Sequence, residues 1–364
     1  MSVSPTVSVV VPAYNAQATL DETLTSIFAQ TMSDLEVLVV DDGSKDGTWE
    51  LLQQWQIAEP QRLHALQHPG GVNCGVAASR NLALDRAQGK FIAFIDADDA
   101  WLPHKLEKQL QAFEDLPAHV GVVFSNAWFA RVEPGLNWSV ADQWLPEYAQ
   151  ELAKLFSGEV GSSLELLLFE PRNDFQNWVM SPTPLVRASH FREGLRFIGP
   201  PRLSTQFEDY LMWLSLALRC EFAALQEPLA YYRVHHSQFV SRYVRKVRCL
   251  EYLRNTREVL QLLVENSSPL VDRLNLQERI DRKFGEVMVR FVRSYRPSQT
   301  MTVRSVSMSD VMPLLQLALE YRVAYLVLAS LVRRWLDATS YRLLHANRPA
   351  VWIRLLARSV RQVL

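Results

Sequence analysis

The sequence has few cysteines and no excess of positive charge. Its 364 residues include three cysteines, Cys74, Cys220 and Cys249, which lie far apart and form no CxxC pair. Such an odd, sparse set argues against a disulfide framework and indicates a reducing compartment. The formal net charge is −1, so no whole-chain basic field points to a nucleic-acid partner.

A membrane-spanning or secretory segment is also not expected. The longest apolar stretch, 311–332, carries Glu320 and Arg322 near its centre, and two charges in mid-bilayer would be costly. The opening stretch MSVSPTVSVVVPAYN has no basic residues before its apolar part, unlike a secretory signal. These absences predict a globular, cytoplasmic protein.

The length and the order of elements predict two domains, since one domain usually holds about 100–200 residues. Strand-like and helix-like patterns alternate through roughly the first third, which is typical of an α/β fold. We expect a Rossmann-like, mostly parallel sheet with helices on both faces. Residues 1–240 form this predicted domain, and residues 241–364 form a C-terminal α-helical domain. Ligands of such sheets bind outside the carboxyl ends of the strands.

Carboxylates gather at two of these predicted strand ends. Asp41 and Asp42 follow the apolar run LEVLVV, and Asp96, Asp98 and Asp99 follow FIAFI. The first pair suits either hydrogen bonds to a nucleoside or an Asx-turn or helix cap. Carboxylates two residues apart, such as Asp96 and Asp98, can hold Mg²⁺ or Mn²⁺ and a ribose; the alternative is a solvated acidic loop. Packed carboxylates without a cation would raise one another's pKa.

Three further polar clusters each allow a functional and a structural interpretation. Arg80 lies in the first turns of a predicted helix, where it would either contact a phosphate or lie on the surface. Glu208 and Asp209 begin another helix, as a capping pair or as a general base. Arg233 and the histidines of YYRVHH could meet a diphosphate or a metal, although a single histidine is more often structural.

Taken in order, these segments resemble the family 2 glycosyltransferases. The matching pieces are VVVPAYN (9–15), VVDDGSKDGT (39–48), GVAASRNLAL (75–84), FIDADD (94–99), the ED of FEDYLMW (208–209) and YYRVHHS (231–237). Each is modest alone, but the ordered set is specific and covers roughly residues 5–240. The resemblance implies a GT-A fold, a nucleotide-diphosphate sugar donor, most often a UDP-sugar, and inversion at the anomeric carbon. It also implies a divalent cation, Mn²⁺ or Mg²⁺.

The resemblance also implies a role for each matching residue. The donor site would comprise Pro12, Ala13, Tyr14, Asn15, Asp41, Asp42, Arg80, Asp96, Ala97, Asp98 and Arg233. Within it, Asp41 would bind the base and Asp96 the ribose.

Catalysis is assigned by the same resemblance. Asp209 would be the catalytic base, with Glu208 beside it. The metal would be held by Asp98 and His235, with His236 as a competitor for the second position.

The sequence departs from the family pattern in three places. Ser215 stands where an arginine often follows the tryptophan equivalent to Trp213, and the usual glycine-rich lead-in before Phe207 is missing. No Gln-x-x-Arg-Trp motif is present, which argues against a processive polysaccharide synthase. The expected acceptor is therefore a sugar or lipid-linked hydroxyl with unusual contacts, selected by the loops at 128–201.

The last 32 residues are basic and partly apolar. Residues 333–364 hold seven arginines and one acidic residue, Asp337, together with Trp335 and Trp352. Such helices can lie on an anionic membrane, which would suit a peripheral enzyme at the inner face of the cell membrane. The equal alternative is a helical bundle that packs on the catalytic domain or forms a homodimer.

Two other functions stay open at this point. A nucleotidyltransferase could use a similar sheet and similar aspartates, but it would typically carry a glycine-rich basic loop where this chain has PAYNAQATL. A non-catalytic scaffold could retain a transferase fold for its helical contacts, although the intact acidic residues at 96, 98, 208 and 209 argue against it.

Overall fold

The structure is a computed structural model that describes residues 4–131, 139–143, 162–170, 175, 177–203, 207–234, 248–267 and 273–294. The chain divides into two compact units, Met1–Arg273 and Leu274–Leu364. The domain boundary predicted at residue 240 stays a prediction. The basic C-terminal segment with its two tryptophans lies outside the described residues, as do residues 132–138, 144–161, 171–174 and 176 of the predicted acceptor loops.

Nine strands of the described residues form a single sheet. They are β1 (Val7–Ala13), β2 (Leu35–Asp41), β3 (Leu63–Gln67), β4 (Phe91–Phe94), β5 (Ala100–Trp101), β6 (Val120–Arg131), β7 (Ser139–Gln143), β8 (Leu185–Arg187) and β9 (Glu221–Val234).

The helices lie between these strands and after them along the chain. They are α1 (Leu20–Phe28), α2 (Thr48–Ala58), α3 (Val76–Leu84), α4 (Lys105–Asp115), α5 (Ser162–Leu164, continuing as a π-helix over Glu165–Phe169), α6 (Ser189–Arg192), α7 (Glu208–Ala217), α8 (Arg248–Glu265) and α9 (Arg273–Ser294).

The first half of the sheet is parallel, in the order β3-β2-β1-β4. Strands β1 and β2 are buried along their whole length, which explains why their sequences are near-continuous apolar runs rather than alternating patterns. Helix α1 covers this half with the buried side chains Leu20, Leu24 and Ile27. Each such side chain contributes about 1.5–3 kcal/mol of burial free energy. The α/β prediction is confirmed.

The second half of the sheet mixes strand directions. Strand β8 is antiparallel to both β4 and β6, β9 runs parallel to β6, and β5 is antiparallel to β9. The long strand β9 contains Pro228, which lies where the register with β6 shifts next to Asn126. A proline is tolerated in a strand at such an irregularity because no regular ladder bond is lost there.

The second unit is described only through α9. Its buried side chains Ile280, Phe284 and Val287 recur at spacings of four and three, as on one face of an amphipathic helix. In the part of the chain that the structure describes, no helix combines the length and the hydropathy that crossing a membrane requires.

A buried lysine in α4 gives a test of the packing. Lys105 is fully buried, its Nζ donates to Oε1 of Gln109 (2.6 Å), and it lies 4.4 Å from the ring centroid of Trp101. Burial lowers its pKa well below the ordinary 10.5. Between this lowered pKa and 10.5, Lys105 is neutral in the folded protein but protonated in the unfolded chain, so unfolding takes up a proton. The folded state therefore loses stability as the pH falls through this range.

We expect Lys105→Met to stabilise the protein at pH 7 by about 1–3 kcal/mol, after the loss of the bond to Gln109. The gain in Tm should shrink as the pH rises towards 10. The control is Lys108→Met on the same helix, where the lysine pairs with the half-exposed Glu227, a contact worth less than about 1 kcal/mol. A lower Tm for Lys105→Met at pH 7 would contradict this account.

Candidate active site

The carboxyl ends of three parallel strands meet in register at one edge of the sheet. Ala13 of β1 is paired with Asp41 of β2, and Asp41 with Gln67 of β3. The Gln67 side chain donates to Oδ2 of Asp41 (2.8 Å), and the Ser44 backbone N–H donates to Oδ1 (3.3 Å). Both carboxylate oxygens are therefore fixed, and each keeps a second lone pair for a ligand donor.

The loop after β1 lies above this edge. Pro12 and Ala13 are buried, whereas the Tyr14 side chain is 52% exposed. Asn15 has a φ of 49° and is tied to the loop after β2, because its backbone N–H donates to Oγ of Ser44 (2.9 Å). The aromatic face of Tyr14 is thus held at the site edge, where a nucleotide base could stack on it.

The carboxylate of Asp42 is hydrogen-bonded to the backbone of the protein. Asp42 is buried, and its carboxylate accepts hydrogen bonds from the backbone N–H groups of Cys74 (2.7 Å) and Gly75 (3.0 Å). Gly75 precedes α3 and has a φ of 90°, a conformation that favours glycine. These bonds tie Asp42 to the residues before α3, where no side-chain cap bond is made, and a role of Asp42 in donor binding stays a prediction.

The acidic turn after β4 is anchored from two sides. Asp99 is fully buried and its Oδ1 accepts a hydrogen bond from the backbone N–H of Arg233 (2.9 Å). The Thr23 hydroxyl of α1 lies within hydrogen-bond distance of the carbonyl oxygens of Ala97 (3.0 Å) and Asp99 (2.7 Å). Asp99 thus shapes the turn, while Asp96 and Asp98 remain partly exposed beside it.

Three carboxylates lie close together in this turn. Burial and the nearby charge of Asp98 raise the pKa of Asp96, despite the opposing Arg80, and burial with the two neighbouring carboxylates raises the pKa of Asp99 well above its ordinary value. Partly exposed carboxylates such as Asp96 and Asp98 are ligands that a hard divalent cation prefers. Within the described ranges, no three His, Cys, Asp or Glu side chains are arranged to hold a metal.

Arg80 joins the acidic turn to the helix that carries the predicted base. Its guanidinium is buried and donates to Asp96 (2.7 Å), to Glu208 (2.7 Å) and to the Ser181 hydroxyl (3.2 Å). The ring centroid of Phe197 lies 5.2 Å from its Cζ. The sequence indicated either a phosphate contact or a surface position for Arg80. The surface position is wrong, because the Arg80 side chain is buried between the carboxylates of Asp96 and Glu208.

Asp209 has the properties of a general base. Burial and the adjacent Glu208 raise the pKa of Asp209 to about 7, although Arg80 and the backbone N–H of Tyr210 act in the opposite direction. Its Oδ2 accepts a hydrogen bond from Nδ2 of Asn177 (2.9 Å). Neither periodicity nor a motif singled out Asn177, which the fold brings from 32 residues upstream.

The last predicted cluster is only partly described. Arg233 is buried, and its Nη2 lies 2.6 Å from a carboxylate oxygen of Glu22 on α1. His235 and His236 lie outside the described residues. The metal role of His235 and the diphosphate contact of Arg233 therefore stay predictions.

The family model of glycosyl transferase family 2 matches residues 8–157, which include both acidic strand ends. Residues 8–157 therefore form a domain of this family. The family predicted from the ordered motifs is confirmed over this part of the chain.

Two curated relatives show how far the sequence similarity extends. TuaG of Bacillus subtilis (strain 168), a glycosyltransferase assigned to teichuronic acid biosynthesis, is 44% identical over 107 residues, 29% of this chain and 41% of TuaG. The UDP-Glc:alpha-D-GlcNAc-diphosphoundecaprenol beta-1,3-glucosyltransferase WfgD of Escherichia coli is 39% identical over 106 residues, 29% of this chain and 39% of WfgD. The chain thus matches less than half the length of either relative.

Solved structures extend the likeness of fold over most of the chain. S. aureus TarS 1-349 in complex with UDP has a TM-score of 0.56 and 18% identity, covering 94% of this chain and 93% of that one. The mannosyltransferase PcManGT from Pyrobaculum calidifontis, in complex with GDP-Man and Mn²⁺, has a TM-score of 0.51 and 16% identity, covering 92% and 88%. The predicted GT-A fold of this glycosyltransferase is confirmed.

Proposed function

We propose that this glycosyltransferase moves a sugar from a UDP-sugar to an acceptor hydroxyl with inversion at the anomeric carbon. The observation that carries the proposal is the chain of contacts from Asp96 through Arg80 to Glu208. These contacts bring the start of α7, with Asp209, close to the acidic turn, and burial raises the pKa of Asp209 to about 7. A base that titrates near neutral pH is what proton removal from a hydroxyl requires.

The donor nucleotide would lie across the carboxyl ends of the parallel strands. Asp41 would accept a hydrogen bond from the base, Tyr14 would stack on it, and Asp96 would contact the ribose. The UDP complex of the structural neighbour TarS supports a uridine nucleotide. PcManGT binds GDP-Man instead. The preference for uracil over guanine is therefore the part of the proposal that a panel of nucleotide sugars must test.

Asp98 would hold a divalent cation together with the donor diphosphate. The support is the partly exposed pair of carboxylates, Asp96 and Asp98, at the turn and the Mn²⁺ bound to PcManGT; Mn²⁺ and Mg²⁺ both prefer carboxylate and phosphate oxygens. When bound, the cation would neutralise charge on the departing diphosphate. His235 stays the predicted second ligand.

Asp209 would take the proton of the acceptor hydroxyl as the acceptor oxygen attacks the anomeric carbon. The new carbon–oxygen bond forms on the face opposite the diphosphate, whose own bond to that carbon breaks, so the configuration inverts. The rigid placement of the base relative to the turn supplies the orientation on which displacement depends.

The acceptor would be a sugar on a lipid carrier, used in cell-surface polysaccharide or glycolipid synthesis. The support is the diphosphoundecaprenol acceptor in the name of WfgD and the teichuronic acid assignment of TuaG. A lipid-linked acceptor would place the enzyme at the cytoplasmic face of a membrane, through contacts that stay predictions.

A panel of nucleotide sugars tests the proposal. We expect UDP-sugars with Mn²⁺ to raise the Tm in a thermal-shift assay, and one of them to be hydrolysed slowly to UDP. Release of pyrophosphate from a nucleoside triphosphate and a sugar phosphate would instead favour the nucleotidyltransferase. Absence of binding and turnover across the panel would favour the scaffold.

The cation assignment makes a separate prediction. Asp98→Asn should reduce the affinity for UDP in the presence of Mn²⁺ by roughly tenfold or more, the scale of losing one charged ligand (about 1.5–3 kcal/mol). Its affinity in EDTA should stay close to that of wild type. Calorimetry measures both, with Asp85→Asn, which disrupts an exposed pair with Arg196, as the control. Equal wild-type affinity with and without Mn²⁺ would count against the role of Asp98.

A further inference from the structure

We propose that Asn177 is a positioning residue that holds the Asp209 carboxylate in the orientation needed to receive the acceptor proton. This inference rests on the proposed function, in which Asp209 is the base. Nδ2 of Asn177 donates to Oδ2 of Asp209 (2.9 Å), while the backbone N–H of Tyr210 donates to Oδ1 (2.6 Å). Each carboxylate oxygen is therefore oriented by one donor.

The direction of the Asn177 amide is fixed by its own second bond. Its Oδ1 accepts a hydrogen bond from the backbone N–H of Val179 (3.2 Å). Because an N–H donor requires the amide oxygen at this position, the NH₂ group must point to Asp209. The amide thus presents a donor, and not a lone pair, to the base.

The segment that carries Asn177 is firmly anchored. Ser181 accepts a bond from Arg80 (3.2 Å), and the carbonyl oxygen of Pro182 accepts one from Nε1 of Trp101 (2.9 Å). The carbonyl oxygen of Thr183 accepts one from Nε2 of Gln109 (2.8 Å). A hydrogen-bond donor on an anchored segment keeps its position during a reaction, whereas a donor on a flexible surface side chain does not.

The charged groups around Asp209 explain why a neutral donor matters here. Glu208 and Asp96 disfavour its ionised form, while Arg80 favours it; Tyr232, from β9, is a further titratable group, whose pKa is raised partly by Asp209. Arg80 already donates to two other carboxylates. The Asn177 amide is neutral. It therefore stabilises the ionised form of Asp209 without adding a second positive charge, which would attract the diphosphate.

Two variants distinguish the positioning of Asp209 by Asn177 from the bond that Asn177 makes to the Val179 backbone. Asn177→Ala removes both bonds, whereas Asn177→Asp keeps an acceptor for the Val179 N–H and replaces the donor with a second carboxylate. We expect Asn177→Ala to shift the acidic limb of the kcat/KM–pH profile upwards by about one unit, the scale of a hydrogen bond to a charged group. Asn177→Asp should shift it further, because a like charge adds to the lost donor.

The control is Asn81→Ala, which also removes two side-chain hydrogen bonds, here to the backbone of Phe197 (2.9 Å each). We expect its midpoint to stay at the wild-type pH. UDP affinity by calorimetry reports whether each variant is folded, and Asn177→Asp, nearly the same shape as the native residue, decides the case if Asn177→Ala does not fold.

The outcomes are distinct. A wild-type profile for Asn177→Asp would overturn the positioning role, because it would show that only the bond to Val179 matters. Transfer by the wild type with unshifted midpoints in both variants would overturn the role of Asn177 and leave the proposed function intact. No transfer by the wild type with any nucleotide sugar would overturn the proposed function, and this role with it.

Discussion

Asp209→Asn is expected to lower the rate of sugar transfer by roughly 10²–10⁴-fold, the usual contribution of a general base. Asparagine keeps the shape of the side chain and an acceptor oxygen, but it takes no proton near neutral pH. The affinity for UDP should stay within about twofold, since Asp209 is placed on the acceptor side of the donor. Steady-state kinetics and calorimetry on the same preparations measure the two effects.

The pH dependence provides an independent check on this base. With a pKa of about 7, Asp209 is protonated below neutral pH, so wild-type kcat/KM should fall by about tenfold per pH unit below 7. The residual rate of Asp209→Asn should lack this limb. Asp115→Asn, an exposed carboxylate at the end of α4, is the control. Turnover near that of wild type by Asp209→Asn would remove Asp209 from the role.

Arg80→Met is expected to destabilise the fold and to lower the rate of transfer at pH 7 together. The substitution leaves Glu208 buried and unpaired and Asp96 without its cation, and breaking a buried ion pair costs about 3–5 kcal/mol. It also removes the positive charge that opposes the raised pKa of Asp209, so the base should titrate at a higher pH. Thermal unfolding and a pH–rate profile test these effects.

Two companion variants make the result specific. Arg196→Met breaks the exposed pair with Asp85 and should change stability by less than about 1 kcal/mol. Arg80→Lys keeps the charge but lacks the planar fork that contacts Asp96 and Glu208 at once, so it should fall between wild type and Arg80→Met. An unchanged Tm for Arg80→Met would refute the bridging role.

The parallel half of the fold was readable from the sequence because its signals are local. Buried strands such as β2 appear as continuous apolar runs, and the polar residue after each run marks the strand end. The same reasoning predicted that Asp41 and Asp96 lie at one edge of the sheet. The helix start at 208–209 was equally visible, since charge patterns at helix ends depend on few neighbours.

The mixed half was not readable, for reasons visible in particular residues. Strand β8 has three residues, too few for a periodic pattern, and β9 includes Pro228, which argues against a strand in isolation. The partners of Arg80 lie 16, 101 and 128 residues away, and the contact of Asn177 with Asp209 also depends on the tertiary fold. No spacing rule encodes such contacts.

The border between the two halves of the sheet is narrow in backbone pairing but is crossed by side chains. Strands β4 and β8 pair through three residues each, over Phe91–Ala93 and Leu185–Arg187. The Arg80 side chain reaches across this border to Glu208 and Ser181. A chimera joined at this border would therefore need an incoming segment that supplies a carboxylate for Arg80.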